Sequence, residues 1–228
     1  MQELYTTCQD FIKSVKNSQS TSLLTVLLEG VSGSGKTALA AKLAMESDFL
    51  FVKMISPEMF VGKPDFTKVQ EIVKVFEDAY KSNLSLIILD DIERLIEFIH
   101  IGSRFSNLLL QALLILVKKK APNPERKLLI IGTTAQKAVL DELELTASFN
   151  VCKRVGTVTD VKEITSVLSN YKVSSQELSS IAEKFARSQF TDGVPIKKLL
   201  LATELAIEKS STGQIKSHYF MDSLNSVL

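Results

Sequence analysis

Residues 30–37 have the sequence Gly-Val-Ser-Gly-Ser-Gly-Lys-Thr, which matches the pattern G-x-x-x-x-G-K-T of phosphate-binding loops. An apolar run precedes this loop, and the helix-forming run Ala-Leu-Ala-Ala-Lys-Leu-Ala follows it. Glycines let successive backbone N–H groups turn inward, and the N-terminus of the next helix adds partial positive charge, so such a loop can hold a polyphosphate. The alternative is a chance glycine-rich turn. Sequence and context agree, which favours the phosphate loop.

The side chains of this loop predict its ligand in more detail. Lys36 is expected to be exposed to the ligand and to reach the β- and γ-phosphates of ATP, which makes it a catalytic as well as a binding residue. The Thr37 hydroxyl is expected to bind Mg²⁺. The predicted nucleotide-binding residues of the loop are Gly30, Val31, Ser32, Gly33, Ser34, Gly35, Lys36, Thr37 and Ala38.

Two carboxylates, Asp90 and Asp91, follow an apolar run at residues 84–89. A buried strand that ends in an aspartate beside a phosphate loop is typical of Mg²⁺-dependent nucleotide sites, which predicts Asp90 as a metal ligand. In hydrolysing members of this broad class the next residue is usually glutamate, the base that orients the attacking water. Asp91 is one methylene shorter, and a misplaced base slows hydrolysis by orders of magnitude. We therefore expect nucleotide binding with slow hydrolysis. The alternative is that both acids cap a helix over residues 92–98.

Short apolar runs alternate with helical periodicity and position these residues. The runs lie at residues 23–28, 49–55, 84–89, 128–131 and 151–155, the last being the weakest. Continuous apolar runs indicate strands that are buried on both faces. Their alternation with helices, notably at residues 66–80 and 105–117, predicts an α/β fold with a five-stranded, mostly parallel sheet between helices.

After residue 157 the strand signal ends, and helical stretches remain at residues 161–170, 175–187, 196–209 and 216–224. The pattern therefore predicts a nucleotide-binding core over residues 23–157 and a small helical lid domain over residues 158–228. Residues 1–22 are polar and ambiguous. We expect this N-terminal segment to pack near the nucleotide pocket or to stay partly loose.

The composition of the 228-residue chain is typical of a globular protein, since 45% of its residues are hydrophobic and 23% are charged. A net charge of +1 gives no general attraction for nucleic acid or anionic membranes. No apolar run is long enough to span a membrane, and the N-terminus lacks the apolar centre of a secretion signal. The two cysteines, Cys8 and Cys152, are expected to be buried fillers. We therefore expect a soluble, intracellular protein that binds no nucleic acid and does not insert into membranes.

Strings beyond the phosphate loop make the chain similar to AAA+ ATPases, and within them to the second ATPase domain of the vesicle-fusing ATPase (N-ethylmaleimide-sensitive factor) family. The most specific are Asp-Asp-Ile-Glu-Arg-Leu at residues 90–95 and Arg-Phe-Ser-Asn at residues 104–107. Further similar segments are residues 27–30, 35–42, 78–82, 101–107, 126–134 and 196–200. The resemblance implies an AAA+ P-loop NTPase core followed by a C-terminal helical lid.

The resemblance also implies a function. It indicates a domain of a homo-oligomeric machine, a hexamer, that works with adaptor proteins to take SNARE complexes apart in intracellular membrane traffic. In that family the second domain binds ATP tightly, hydrolyses it poorly and holds the ring together, in the cytoplasm and peripherally at vesicle or Golgi membranes. With one ATPase domain, the sequence is expected to be part of a longer chain or a short relative. The alternative is a stand-alone AAA+ ATPase that remodels another protein.

Lysines outside the loop match basic positions of the family. The resemblance implies that Lys118 and Lys127 lie at the interface between subunits, where a cation meets the γ-phosphate of a neighbour. It also implies that Lys197 or the adjacent Lys198, at the start of a helix in the lid domain, senses the nucleotide of its own subunit. One lysine of that pair is expected to face solvent.

Other local features differ from active family members or leave two alternatives open. Ala135 stands where a sensor asparagine is usual, so that polar group is missing and Thr134 is at best a substitute. Residues 141–150 contain no arginine to serve as a finger for the neighbouring subunit. Both departures agree with slow hydrolysis. Phe60-Val61-Gly62 resembles the pore loop of substrate-threading domains, although a Phe packed in the local core is at least an equal alternative.

Overall fold

The structure, a computed structural model, describes residues 2–18, 20–102, 104–187, 190, 192–210 and 213–228. Met1 of the predicted N-terminal segment and Ser103 of the family-like string at residues 101–107 lie outside these residues. The chain forms two compact units. The first contains the residues up to Gly30 together with Lys36–Val155, and the second contains Val31–Gly35 together with Gly156–Leu228.

The first unit is built on a parallel sheet. Its strands, within the described residues, are β1 (Leu23–Glu29), β2 (Phe51–Ile55), β3 (Leu84–Leu89), β4 (Lys127–Thr134) and β5 (Val151–Arg154). They are arranged in the order β2-β3-β4-β1-β5, and all neighbours pair in parallel. The predicted α/β fold with a five-stranded sheet is therefore confirmed.

Helices flank this sheet and make up the second unit. Those of the first unit are α1 (Gln2–Asn17), α2 (Lys36–Met45), α3 (Asp65–Ala79), α4 (Ile92–Leu95), α5 (Asn107–Leu116) and α6 (Lys137–Glu142). Those of the second unit are α7 (Val161–Leu168), α8 (Ser175–Arg187), α9 (Ile196–Lys209) and α10 (Ser217–Val227). The helix expected over residues 92–98 is a single turn, because the backbone at Glu97 is left-handed, with φ of 58°.

The sheet is covered on both faces, which explains why its strands are continuously apolar. On one face Leu27 and Ile130 pack with α3 and α5. On the other face Leu28 and Ile131 pack with α1 and α2. The ambiguous N-terminal segment thus contains a helix, α1, whose buried residues are Cys8, Ile12 and Val15, spaced by four and three positions.

The strand order brings the polar residues of interest to one edge of the sheet. Because the strands are parallel, their carboxyl ends share an edge, and β1 and β3 both lie beside β4. Glu29 at the end of β1 pairs in register with Thr134 at the end of β4. Asp90 comes directly after β3, whose last residue pairs with Gly132. Lys127 begins β4 and so lies at the opposite edge.

The second unit has its own helical core. Its central side chains, each 0% exposed, are Ile164, Ile181, Leu199 and Phe220, one from each of α7 to α10. Val158 and Val194 exchange two backbone hydrogen bonds, of 2.8 and 2.9 Å, ahead of α7 and α9. No helix within the described residues is both long and apolar enough to cross a membrane.

Candidate functional site

The loop at residues 30–37 has a backbone that requires glycine at two positions. Gly33 and Gly35 have φ of 78° and 96°, a region that other residues rarely adopt. A Cβ on Gly33 would lie 3.2 Å from Cβ of Lys197, and a Cβ on Gly35 would lie 3.2 Å from Cγ2 of Ile196. These glycines therefore supply both the turn and the close approach of the backbone to the start of α9.

The polar groups of the loop fit an anionic ligand. Ser34 is fully buried, and its Oγ has no hydrogen-bond partner among the described residues, although it is a hydroxyl that can donate. The loop leads directly into α2, whose N-terminus presents backbone N–H groups and partial positive charge. An orphaned hydroxyl beside a helix N-terminus suits a phosphate better than an apolar ligand.

Lys36 is buried and folds back onto the loop. It is 5% exposed, and its Nζ donates a 2.9 Å hydrogen bond to the carbonyl oxygen of Gly30. The expectation that this side chain is exposed to the ligand was wrong in this structure, because its ammonium group bonds back to the carbonyl of Gly30. Burial lowers the pKa of Lys36, whereas the nearby carboxylates raise it. Those carboxylates are Asp91, Glu93, Asp90 and Glu29.

Asp90 forms the polar centre of the carboxyl edge of the sheet. It is 8% exposed, and its Oδ1 accepts hydrogen bonds from Thr37 Oγ1 at 2.8 Å and from Thr133 Oγ1 at 2.7 Å. The structure thus brings together Thr37 and Asp90, the two residues that the sequence predicts as metal ligands. Carboxylate and hydroxyl oxygens are hard ligands of the kind that Mg²⁺ prefers, so the pair fits this ion.

Asp91 has an unusual backbone and an accessible carboxylate. Its φ of 48° and ψ of 61° lie in the left-handed region, which aspartate tolerates better than most residues. Its N–H donates to Thr133 Oγ1 at 2.9 Å, and its side chain remains 33% exposed. Burial raises the pKa of Asp91, as do the charges of Asp90 and Glu93, while Arg94 and Lys36 lower it. A partly exposed carboxylate of this kind can orient a water molecule.

Glu93 belongs to the same cluster of acidic residues as Asp90 and Asp91, but it was not predicted from the sequence. It is 4% exposed, and its carboxylate accepts hydrogen bonds from Thr134 Oγ1 at 2.7 Å and from Ala135 N at 2.9 Å. The sequence does contain a signal for it. Glu93 lies between the apolar residues Ile92 and Leu95, shortly after a buried strand, where a solvent-exposed acid is not expected. Thr134, considered as a substitute sensor, is therefore already bonded to Glu93.

The comparisons with known proteins agree with this geometry. Residues 26–155 match the family described as "ATPase family associated with various cellular activities (AAA)". The chain belongs to this family. It is 42% identical to "Vesicle-fusing ATPase" of Arabidopsis thaliana over 95% of its own length and 28% of that protein. It is 40% identical to "Vesicular-fusion protein sec18" of Schizosaccharomyces pombe over 90% of its own length and 26% of that protein. The chain thus spans about a quarter of the length of the curated relatives it matches.

Two lysines of the first unit, Lys118 and Lys127, resemble AAA interface positions. Lys127 Nζ donates to the carbonyl oxygen of Lys16 at 2.6 Å, at the edge of the sheet opposite Thr134. Lys118 is exposed just after the end of α5. Lys127 therefore does not join the residues around Asp90 within this chain.

The contacts of Lys197 and Lys198, in the second unit, show which of the two faces solvent. The backbone N–H of Lys197 donates to the carbonyl oxygen of Gly33 at 3.0 Å, and its side chain is exposed. Lys198 is half-buried, and its Nζ donates to the carbonyl oxygen of Leu228 at 3.1 Å. Lys197 is therefore the member of the pair that faces solvent and contacts the phosphate loop.

Two further sequence expectations concern Phe60 and the cysteines. Phe60 is 6% exposed and packs in the core with Ile72, which is the core alternative, whereas the neighbouring Val61 is 83% exposed. Cys8 is buried as expected. The expectation for Cys152 was wrong: it is exposed, because β5 is an edge strand with only β1 beside it.

Proposed function

We propose that this chain binds ATP with Mg²⁺ and hydrolyses it slowly. The loop residues Gly30, Val31, Ser32, Gly33, Ser34, Gly35 and Ala38 would surround the phosphates of the nucleotide. The observation that supports this most strongly is the hydrogen bond of Thr37 to Asp90, next to the buried Lys36. Core and lid would correspond to residues 23–157 and 158–228, with residues 1–22 as an N-terminal addition.

Each polar residue of the group has a distinct role. Lys36 would bind the β- and γ-phosphates, and Thr37 and Asp90 would hold Mg²⁺. The ion, when bound, offsets negative charge on the phosphates and on the surrounding carboxylates. Asp91 would accept a hydrogen bond from the attacking water and so orient it.

Slow hydrolysis follows from three residues or segments of this chain. Asp91 is shorter than the usual glutamate, Ala135 has no polar side chain, and residues 141–150 supply no arginine to a neighbour. Each change removes transition-state stabilisation while leaving ground-state binding in place. Binding should therefore be tight relative to the rate of turnover.

We further propose that the chain is the ring-forming module of a vesicle-fusing ATPase. The names of its relatives support this function, and the exposed Lys197 beside Gly33 supports a role in sensing the nucleotide of the same chain. Lys118 and Lys127 would meet the γ-phosphate of a neighbouring copy in a hexamer. SNARE complexes, reached through adaptor proteins, would be the substrate, in the cytoplasm or peripherally at vesicle or Golgi membranes.

The second candidate is a stand-alone AAA+ ATPase that remodels a different protein. It is favoured only if the chain turns ATP over quickly by itself. The test is to measure the affinity for Mg·ATP and the turnover per chain on the same preparation. Tight binding with turnover well below the median of about 10 s⁻¹ for enzymes supports the ring-forming module, whereas several turnovers per second support the alternative.

A further inference from the structure

Glu93 is a buried carboxylate that is not needed to hold phosphate or metal in the site described above. It lies on α4 and is 4% exposed. Both of its oxygens accept hydrogen bonds from the turn at the end of β4, which begins with the last strand residue: Oε2 from Thr134 Oγ1 at 2.7 Å and Oε1 from Ala135 N at 2.9 Å. Burying a carboxylate is costly unless it is hydrogen-bonded in this way. The contact therefore ties α4 firmly to the turn.

The residue before Thr134 makes a parallel connection between the same two segments. Thr133 Oγ1 donates to Asp90 Oδ1 at 2.7 Å and accepts from the N–H of Asp91 at 2.9 Å. Two consecutive threonines of β4 thus hold consecutive parts of the segment after β3. Thr133 holds the two acids, and Thr134 holds Glu93. A shift of the turn relative to Asp91 would break the hydrogen bonds to Glu93.

The turn that Glu93 holds has its own polar groups. Thr134 Oγ1 accepts from Gln136 N at 3.0 Å, and Oε1 of Gln136 is buried without a hydrogen-bond partner in the described part of the chain. Because Ala135 has no polar side chain, the side-chain polar groups at this turn are those of Thr134 and Gln136. Their positions depend on the backbone that the Glu93 carboxylate fixes.

We propose that Glu93 is a positioning residue for ATP hydrolysis: its carboxylate fixes the turn over residues 134–136 beside Asp90 and Asp91. The distances between Asp91, which orients the water, and the polar groups of the turn then stay constant. The chemical step depends on such fixed distances more strongly than nucleotide binding does. This inference rests on the proposed ATP site and adds to it a residue that touches neither nucleotide nor metal.

The test uses the full chain with Glu93→Gln, Thr134→Val, their double variant and Thr134→Ser. Gln keeps the size of Glu93 but replaces one acceptor oxygen with an amide donor, and Val removes the hydroxyl that donates. Ser keeps that hydroxyl. Asp141→Asn is the control, since Asp141 forms a surface ion pair with Lys137 on α6. Turnover, Mg·ATP affinity by calorimetry, and amide hydrogen exchange of Ala135 without nucleotide are measured for each.

We expect Glu93→Gln and Thr134→Val each to lower turnover about tenfold or more while Mg·ATP affinity changes by less than about threefold. The double variant should lose no more turnover than the more severely affected of the two single variants, because both changes break the same connection. Thr134→Ser and Asp141→Asn should stay close to the unmodified chain. In Glu93→Gln the Ala135 amide should exchange faster.

Several results would overturn the inference. One is unchanged turnover in Glu93→Gln, or unchanged exchange of the Ala135 amide. Another is a parallel loss of affinity and turnover, which would show a general structural role. Independent losses that multiply in the double variant would also contradict it. If Glu93→Gln does not fold, Thr134→Val decides by the same readouts of turnover and affinity. Failure of the unmodified chain to bind or hydrolyse ATP overturns the proposed function instead, and the amide exchange, measured without nucleotide, distinguishes the two failures.

Discussion

Thr37 and Asp90 are 53 residues apart in the chain, yet the Thr37 hydroxyl donates a 2.8 Å hydrogen bond to Oδ1 of Asp90. The bond joins the first turn of α2 to the residue that follows β3. Thr133 donates to the same oxygen and so fixes the carboxylate from β4. The fold itself therefore holds the two proposed Mg²⁺ ligands adjacent to each other.

Asp90→Asn should weaken binding of Mg·ATP by about 10²-fold, because it removes one charge-assisted metal contact worth roughly 2–3 kcal/mol. The amide oxygen can still accept from Thr37 and Thr133, so the unfolding midpoint should change little. Titration with chelator provides the check. Removing Mg²⁺ should weaken ATP binding to the unmodified chain far more than to the variant. An equal effect of chelator on both proteins would contradict the assignment of Asp90.

Lys36→Ala should weaken Mg·ATP binding by about 10²-fold or more, because the loop loses its own cation in a buried setting. The Gly30 carbonyl also loses a donor, which should cost about 1 kcal/mol of folding free energy. Lys42→Ala is the matched control, since Lys42 lies on the same helix with its side chain 61% exposed. Calorimetry showing unchanged affinity in Lys36→Ala, or an equal loss in Lys42→Ala, would argue against the site.

Asp91 should respond to substitution in two separable ways. Asp91→Asn keeps a residue that tolerates the left-handed backbone, so turnover should fall while thermal stability holds. Asp91→Glu lengthens the base by one methylene and should raise turnover modestly, but glutamate tolerates this backbone less well and the unfolding temperature should drop. Steady-state turnover and thermal melts of both variants test this. Full activity of Asp91→Asn would show that another group orients the water.

Nucleotide should drive the chain toward a ring. ATP and a non-hydrolysable analogue should both promote assembly, because the γ-phosphate would lie between copies and meet Lys127 or Lys118. Losing either contact should cost roughly 2–5 kcal/mol of assembly free energy, as at a buried charge pair. Nucleotide affinity and assembly are coupled reciprocally, so each strengthens the other. Sedimentation without nucleotide, with ADP and with the analogue is the measurement. A monomer in all three conditions at saturating nucleotide would contradict this role.

The two interface lysines provide a comparison within that experiment. Lys127→Ala also removes the hydrogen bond to the carbonyl of Lys16, so it should lower the stability of the monomer by about 1 kcal/mol besides weakening assembly. Lys118 is exposed, and Lys118→Ala should change assembly without changing the melt. Loss of stability without loss of assembly in Lys127→Ala would assign Lys127 to the fold alone.

Gly132→Ala should destabilise the fold by about 1–3 kcal/mol, because the added methyl would overpack the contact between β4 and α4. A Cβ at this position would lie 2.8 Å from both Cδ1 of Ile92 and Cζ of Phe149. Gly156→Ala is the control, since a Cβ there meets nothing within 4 Å. Denaturant melts should separate the two variants. Equal stability would mean that α4 can move away without cost.

Local patterns in the sequence determined the sheet and the phosphate loop. The apolar run at residues 84–89 coincides with β3 (Leu84–Leu89), because a short apolar run that must be buried on both faces fits a central parallel strand. The run at residues 128–131 corresponds to a longer strand, β4 (Lys127–Thr134). Pairing with β1 and β3 includes polar residues in this strand that no apolar pattern predicts. The glycines of the loop were identifiable because the turn itself needs them.

The polar contacts between distant residues were decided by tertiary structure alone. Glu93 contacts Thr134, 41 residues away, and Lys127 contacts Lys16, 111 residues away. These pairs depend on the strand order β2-β3-β4-β1-β5, which residue spacing does not encode. Sequence determined which residues could do the chemistry, and the packing of distant segments decided which of them are held together, because a buried polar group must find its partners wherever the fold brings them.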